Sequence, residues 1–207
     1  MQDLKFESVK HLGVSRESYE KLIVLEKLIV TWQSHINLIA PSTTPHIWER
    51  HITDSLQLIP LIPVHTTAIA DLGSGGGFPG LVLAASQAAK LHFFEANAKK
   101  TAFLQEALRH MKVSGVVHRQ RLELQVSPSQ MPDVQVVTAR AFAPLPLLLS
   151  LAEPFMRKGA VGLFHKGQEC DAELTEAAKS WKISVRKHRS LTDSNSVILE
   201  IKEIAHV

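Results

Sequence analysis

Three consecutive glycines, Gly75, Gly76 and Gly77, lie between a short apolar run at 67–72 and a helical stretch beginning near Pro79. With Gly73 before them and Gly80 after, they form a junction where the backbone can take positive φ and no Cβ blocks the approach of another group. The helix that follows presents unpaired N–H groups in its first turn. A glycine-rich strand-to-helix junction belongs at the carboxyl edge of a parallel sheet, the edge that holds ligands in doubly wound folds. No other stretch of the chain constrains the fold as much.

The remainder of the chain after Pro63 agrees with it. Apolar runs at 67–72, 91–94, 116–119, 134–138 and 160–164 alternate with helical stretches from about Pro79, at 99–111, from about Pro144 and at 172–181. This alternation predicts βαβ units and a parallel sheet covered on both faces. The last two runs, 182–189 and 196–204, are joined by Ser190 to Asn195 alone. That is too short for a crossover helix, so an antiparallel hairpin closes the sheet. The expected fold is α/β, a mainly parallel seven-stranded sheet with a closing antiparallel hairpin.

Residues 1–64 read differently. Leu22, Leu25, Ile29, Trp32 and Ile36 form one apolar helical stripe that Ser15 caps. After the break at Pro41, Thr44 caps and Pro45 opens a second helix, with Ile47, Trp48, Ile52, Leu56 and Ile59 facing inward and an end near Pro60 and Pro63. These stripes need an outside partner. A helical N-terminal extension, 1–64, is therefore expected to pack on a single compact unit, 65–207.

Length and composition narrow the class. A chain of 207 residues with 45% apolar content suits one domain that folds without a metal or disulfide staple. The lone Cys170 makes no internal bridge and points to a reducing compartment. The first 15 residues hold no apolar core of signal-peptide length, and no apolar run approaches a bilayer span, so a cytoplasmic protein is expected. None of the 11 histidines stand three or four apart, which argues against a metal site.

The net charge of +3 is unevenly placed. Residues 1–98 hold 7 Lys/Arg against 9 Asp/Glu, residues 99–121 hold 6 against 1, and residues 122–207 hold 10 against 10. The excess thus falls in one window, which reads as a local anion contact or as a solvated helix face.

What the glycine loop binds is decided by its neighbours. A Walker A loop fails, because Leu81 and Val82 follow Gly80 where Lys and Ser/Thr are needed. A nucleophile elbow at Ser74 fails because position 72 is Leu. Gly75, Gly77 and Gly80 match a dinucleotide fingerprint, with Glu95 about 20 residues on. Against it, Asp71 at the strand end opposes a pyrophosphate, and no chain remains for a dehydrogenase substrate domain. S-adenosylmethionine suits the positions better. Its positive amino acid end suits Asp71, directly or through ordering of the loop. Its ribose hydroxyls suit Glu95, and its adenine suits a frame made by Leu122 and Glu123.

The segment from Asp71 to Gly80, Asp-Leu-Gly-Ser-Gly-Gly-Gly-Phe-Pro-Gly, resembles motif I of the bacterial 16S ribosomal RNA guanine-N7 methyltransferase family, RsmG or GidB. Asn37-Leu-Ile-Ala40, Arg50-His-Ile-Thr-Asp-Ser55, Ala139-Arg-Ala-Phe142 and Lys166-Gly-Gln168 are similar to that family's other elements, in order and at matching intervals. Ala139 stands where a Ser often precedes the Arg. The resemblance implies a class I, Rossmann-like methyltransferase fold and transfer of a methyl group to N7 of one guanosine in the decoding region of small-subunit rRNA. It also implies cofactor contacts at Gly73, Phe78, Leu122, Glu123 and Arg140. With Asp71, Glu95 and the loop's Gly75, these complete the expected S-adenosylmethionine set.

Guanine N7 carries a lone pair and no proton, so no general base is required and no catalytic side chain is assigned. N7 is out of reach in an A-form duplex, so the target base must be unstacked. Candidate RNA contacts are Lys99, Lys100, Arg109, Lys112, Arg119, Arg121, Lys166 and Arg140, the last at O6, phosphate or cofactor but not at N7. His51 and Asp54, one helical turn apart, read as a core histidine held by a carboxylate. The expected partner is 16S rRNA or the small subunit, with no membrane and no metal, and the protein acting as a monomer. The alternatives are a methyltransferase acting on another nucleic acid, a nicotinamide oxidoreductase and a non-catalytic RNA-binding module.

Overall fold

The structure is a computed structural model that describes residues 4–87, 89–122 and 131–207. Seven strands form one sheet in the order β3-β2-β1-β4-β5-β7-β6: β1 Ala68–Leu72, β2 Lys90–Phe94, β3 Gly115–His118, β4 Val136–Arg140, β5 Val161–Lys166, β6 Trp181–Arg189 and β7 Val197–His206. The first five strands pair in parallel, and β7 runs antiparallel to both β5 and β6. The chain therefore moves outward from β1 to β3, then returns to β4 on the other side of β1. That reversal places a topological switch point at the carboxyl ends of β1 and β4.

The strands alternate their side chains between two cores. Ile69, Phe93, Val136 and Leu163 face one side; Ala70, Leu72, Val137 and Phe164 face the other. On the first side pack α2 Arg16–Gln33, α4 Gly80–Ser86 and α5 Ala98–Met111. On the second pack α6 Leu145–Met156 and α7 Cys170–Ala177. Ser15 caps α2 as its position predicted, its side chain accepting from the Ser18 N–H at 3.0 Å. The stripe residues Leu22, Leu25 and Ile29 are fully buried, in one cluster with Leu81, Val82 and Phe103. A short α1, Leu4–Val9, and Tyr19, Trp48 and Trp32 extend this cluster through edge-on ring contacts, Trp32 meeting Phe103 at 5.6 Å. The segment 4–62 thus shares a core with the sheet.

The second helix expected from Pro45 is not one continuous α-helix. Pro41–His46 is a 3-10 segment with Pro45 inside it, Trp48–Thr53 is a π turn, α3 covers only Asp54–Leu56, and Ile59–Leu61 is again 3-10. Thr44 makes no cap. Ile47, Ile52 and Leu56 are buried as the stripe required. The widened turn at 48–53 changes the facing of the polar residues between them.

Candidate active site

Two cavities open at the switch point. The larger, about 670 Å³, is lined by the glycine loop, by Asn37 to Pro41, by Phe94, Glu95 and Ala96 at the end of β2, and by Lys100, Gln120, Arg121 and Leu122. The second, about 510 Å³, lies toward β5 and the β6–β7 connection, between Thr43, Arg50, Asp54, Lys166, Glu173 and Asp193. Both volumes fall in the range of small-molecule sites, roughly 300–1,000 Å³. His51, Arg140, Ala141 and Phe142 line both cavities and form the wall between them.

The loop owes its shape to its glycines. Gly73 has φ +64°, and a Cβ there would come within 2.1 Å of the Phe142 ring. A Cβ on Gly76 would meet the Leu38 carbonyl oxygen at 2.6 Å, so the loop and the Asn37 to Ala40 segment touch backbone to side-chain position. Gln33 fixes that segment: its Oε1 accepts from Leu38 and Ile39 N–H, and its Nε2 donates to the Ile39 carbonyl. Glu95 holds the loop from the other side. Its Oε2 accepts from Gly75 N–H at 2.8 Å and its Oε1 from Asn97 N–H at 2.7 Å.

Asp71 lies under the loop. It is fully buried and does not line either cavity; its Oδ1 accepts from the Thr138 hydroxyl at 2.8 Å. Oδ2 faces the Gly80 backbone without a hydrogen bond of good geometry. Burial pushes its carboxyl up to about 6, against the hydrogen bonds that favour the charge. Of the two roles expected for Asp71, this position suits ordering of the loop.

Arg140 anchors the dividing wall. Its guanidinium donates to the Arg50 carbonyl and to Asp54 Oδ2, each at 3.0 Å, and contacts His51 Nδ1. It also lies over the Phe78 ring, 5.3 Å from its centre, while His51 stacks on the same ring at 5.0 Å. Ala141 takes φ +49°, a strained conformation for an alanine that lets adjacent Arg140 and Phe142 both serve the wall. Burial and the neighbouring Arg140 cation push His51 down to about 3, so the ring is neutral at physiological pH.

The expected pairing of His51 with Asp54 is corrected by this geometry. His51 Nε2 meets the Thr43 hydroxyl at 2.7 Å, while Asp54 is taken by Arg140, by Gln57 at 2.7 Å and by Thr192 at 2.9 Å. The π turn between positions 48 and 53 lets the two side chains address different partners.

The basic window divides. Lys99 and Lys100 begin α5 at the carboxyl edge of the sheet, where Arg119 and Arg121 follow β3; Lys100 and Arg121 line the larger cavity. Arg109 and Lys112 sit at the far end of α5, about 15–20 Å away at 1.5 Å rise per residue. Arg109 is also paired with Glu106 at 2.6 Å. The phosphate contact expected of Lys166 is likewise not open to it. Its side chain is only 7% exposed, and its ammonium donates to the Ala143 carbonyl at 2.8 Å and Glu173 Oε2 at 2.6 Å.

Gly73, Gly75, Phe78, Glu95, Leu122 and Arg140 all line the larger cavity, and Glu123 lies outside the described residues. Phe142 and Glu173 had no role assigned from the sequence. The ordered Arg140-Ala-Phe142 element was a signal for the first, but nothing in the pattern around Glu173 distinguished it from a solvated helix residue. Among the described residues no group of three or more His, Cys, Asp or Glu could hold a metal ion, and no helix is long and apolar enough to cross a membrane.

Comparison with known proteins decides the family. Residues 18–201 match the family described as GidB, rRNA small subunit methyltransferase G. This chain belongs to that family. It is 49% identical to the ribosomal RNA small subunit methyltransferase G of Bradyrhizobium diazoefficiens, over 94% of this chain and 75% of that one. It is 45% identical to the protein of the same name from Paramagnetospirillum magneticum, over 93% and 92%. Solved structures bear out the class I methyltransferase fold. A ribosomal protein L11 methylase from Lactobacillus delbrueckii subsp. bulgaricus superposes with a TM-score of 0.57 at 15% identity, over 74% of this GidB-family chain and 78% of that chain. An O-methyltransferase from Bacillus cereus, solved with SAH, gives 0.57 at 12% identity over 87% and 90%.

Proposed function

We propose that this protein transfers a methyl group from S-adenosylmethionine to N7 of a guanosine in 16S rRNA, in the decoding region of the small ribosomal subunit. The observation that carries this reading is the larger cavity: a side-chain-free glycine cradle at the switch point, with a fixed carboxylate on one side and an apolar wall on the other. Gly75 lines this cavity, and nothing lies closer than 3.6 Å to where its Cβ would stand, which suits a ligand held against backbone. Glu95 suits the ribose hydroxyls, and Phe94 and Leu122 an adenine.

When bound, S-adenosylmethionine supplies a sulfonium methyl that the N7 lone pair takes in-line, the sulfur leaving as a neutral thioether. The chain's own contribution is position and electrostatics. His51 is neutral, and the Arg140 charge is met by Asp54, so the dividing wall presents no free cation to a base that gains positive charge. This agrees with a reaction that needs no general base. Lys99, Lys100, Arg119 and Arg121, together on one edge, suit the RNA backbone around an unstacked target. The chain acts as a monomer in the cytoplasm, and no metal takes part.

Calorimetry with S-adenosylmethionine and with NAD separates this from the nicotinamide alternative; binding of NAD and not of the sulfonium would overturn it. Radiolabel transfer to unmethylated small subunits and to naked 16S rRNA then tests the acceptor. No transfer to either would favour the non-catalytic binding module.

A further inference from the structure

We infer that the second cavity receives the unstacked guanine and that Glu173 reads its N1–H and N2–H2 edge. This rests on the proposed function and goes beyond it, because it names the acceptor's site and the residue that selects the base.

The wall common to both cavities sets the orientation. The residues common to both cavities mark where the two meet, so N7 turned toward that junction, beside Phe142 and the neutral His51, faces the cofactor side and leaves the N1 and N2 donors at the opposite end of the second cavity. Acceptors are needed there. Three carboxylates line this cavity, and in two of them both oxygens already hold donors from the protein. Asp54 serves Gln57 and Thr192 with Oδ1 and Arg140 with Oδ2. Asp193 serves Arg50 with Oδ2 and Asn195 N–H with Oδ1. Glu173 differs: Lys166 Nζ and the Leu145 N–H both fall on Oε2, at 2.6 and 2.5 Å, and Oε1 has no hydrogen-bond partner among the described residues.

The carboxylate is held in place. Lys166 is buried, and it ties Glu173, at the start of α7, to the Ala143 carbonyl in the loop after β4. The side chain of Glu173 is 25% exposed, enough to present one oxygen to a ligand in the cavity that it lines. A fixed acceptor matches guanine, whose N1 and N2 both donate. It repels adenine, whose N1 carries a lone pair. Lys166 acts through Glu173 and is a positioning residue.

The test uses 16S rRNA assembled by ligation with either guanosine or inosine at the methylated position, that position being mapped first by radiolabel. Inosine keeps N7 and N1–H but lacks the N2 amine. Wild-type enzyme is expected to favour guanosine in kcat/KM by roughly 10- to 100-fold, the worth of a hydrogen bond to a charged group. Glu173→Gln is expected to lose more on guanosine than on inosine, which offers only its N1–H, so that the guanosine-to-inosine ratio falls, and to bind S-adenosylmethionine as wild type does. Lys166→Met is expected to lower the guanosine-to-inosine ratio part-way, a readout that lost stability alone does not move. Equal wild-type rates on the two RNAs, or an unchanged ratio in Glu173→Gln, would overturn the inference. The wild-type comparison stands whether or not the variants fold. The ligated RNAs are assayed both free and assembled into small subunits, and failure of wild type in both forms and on unmethylated small subunits would instead refute the proposed function.

Discussion

Adding one methyl group at Gly73 and, separately, at Gly75 distinguishes backbone strain from crowding in the loop. Both residues have positive φ, +64° and +54°. An alanine in that conformation costs roughly 1–2 kcal/mol. At Gly75 nothing more is expected, because the nearest atom to the new Cβ is the Gly73 carbonyl oxygen at an ordinary 3.6 Å. At Gly73 the Cβ would overlap the Phe142 ring at 2.1 Å, against atoms near the ring's attachment that clear it only if the whole ring leaves its place. Overpacking of this kind adds roughly 1–3 kcal/mol. For a domain of this size Tm should therefore fall by about 2–8 °C in Gly75→Ala and by about 4–20 °C in Gly73→Ala. Thermal unfolding followed by circular dichroism measures both. Combining Gly73→Ala with Phe142→Ala removes the overlap and should bring the loss back toward the Gly75→Ala level. If Gly73→Ala is no worse than Gly75→Ala, or if Phe142→Ala fails to narrow the gap, Phe142 does not press on the loop as described.

Asp71 and His51 give opposite pH dependences. Asp71 is raised to about 6, so between about pH 4 and 6 the folded state binds the extra proton and this group's contribution to stability falls as pH rises, by up to about 3 kcal/mol. His51 is lowered to about 3, so the unfolded state binds the extra proton below about pH 6.5 and its contribution falls as pH drops. Urea unfolding at pH 4.5, 6 and 7.5 should show Asp71→Asn gaining less from acidification than wild type, and His51→Gln losing less; parallel curves would contradict the assignment. Asp54→Asn leaves the buried Arg140 cation uncompensated and should cost roughly 3–5 kcal/mol by denaturant unfolding, with a loss under 1 kcal/mol showing the pair to be well solvated. Reversing Lys99, Lys100 and Arg121 to Glu should weaken RNA binding and flatten its salt dependence by roughly 0.7–0.9 in log–log slope per lost contact, whereas Arg109→Glu with Lys112→Glu should leave the slope within one contact of wild type. Equal effects from the two sets would place the RNA elsewhere.

The parts of the fold that follow from local pattern were legible in the residues. Apolar runs with turn residues between them located all seven strands, and the six residues from Ser190 to Asn195 foretold the antiparallel closure. The second helix was not legible, because its apolar spacing survives in a π turn flanked by 3-10 segments, and the contacts of His51 with Thr43 and of Asp54 with Arg140 that go with this backbone leave no mark in the spacing. Arg140 lies 86 residues from Asp54, and spacing alone carries no sign of that contact. The basic window misled for a related reason. Charge counted along the chain does not see that a 14-residue helix carries its two ends to opposite edges of the sheet. Glu173 was invisible because its meaning comes from Lys166 on a neighbouring strand and from an oxygen left over.

The central claim is methyl transfer to N7 of one small-subunit guanosine, and one measurement addresses it directly. Purified protein is incubated with unmethylated small subunits and S-adenosylmethionine, and the rRNA is digested and read by mass spectrometry. A single 7-methylguanosine in the decoding region, absent without the cofactor, is the result expected. A methyl group on another atom or another RNA, or none at all from protein shown to bind S-adenosylmethionine, would contradict it.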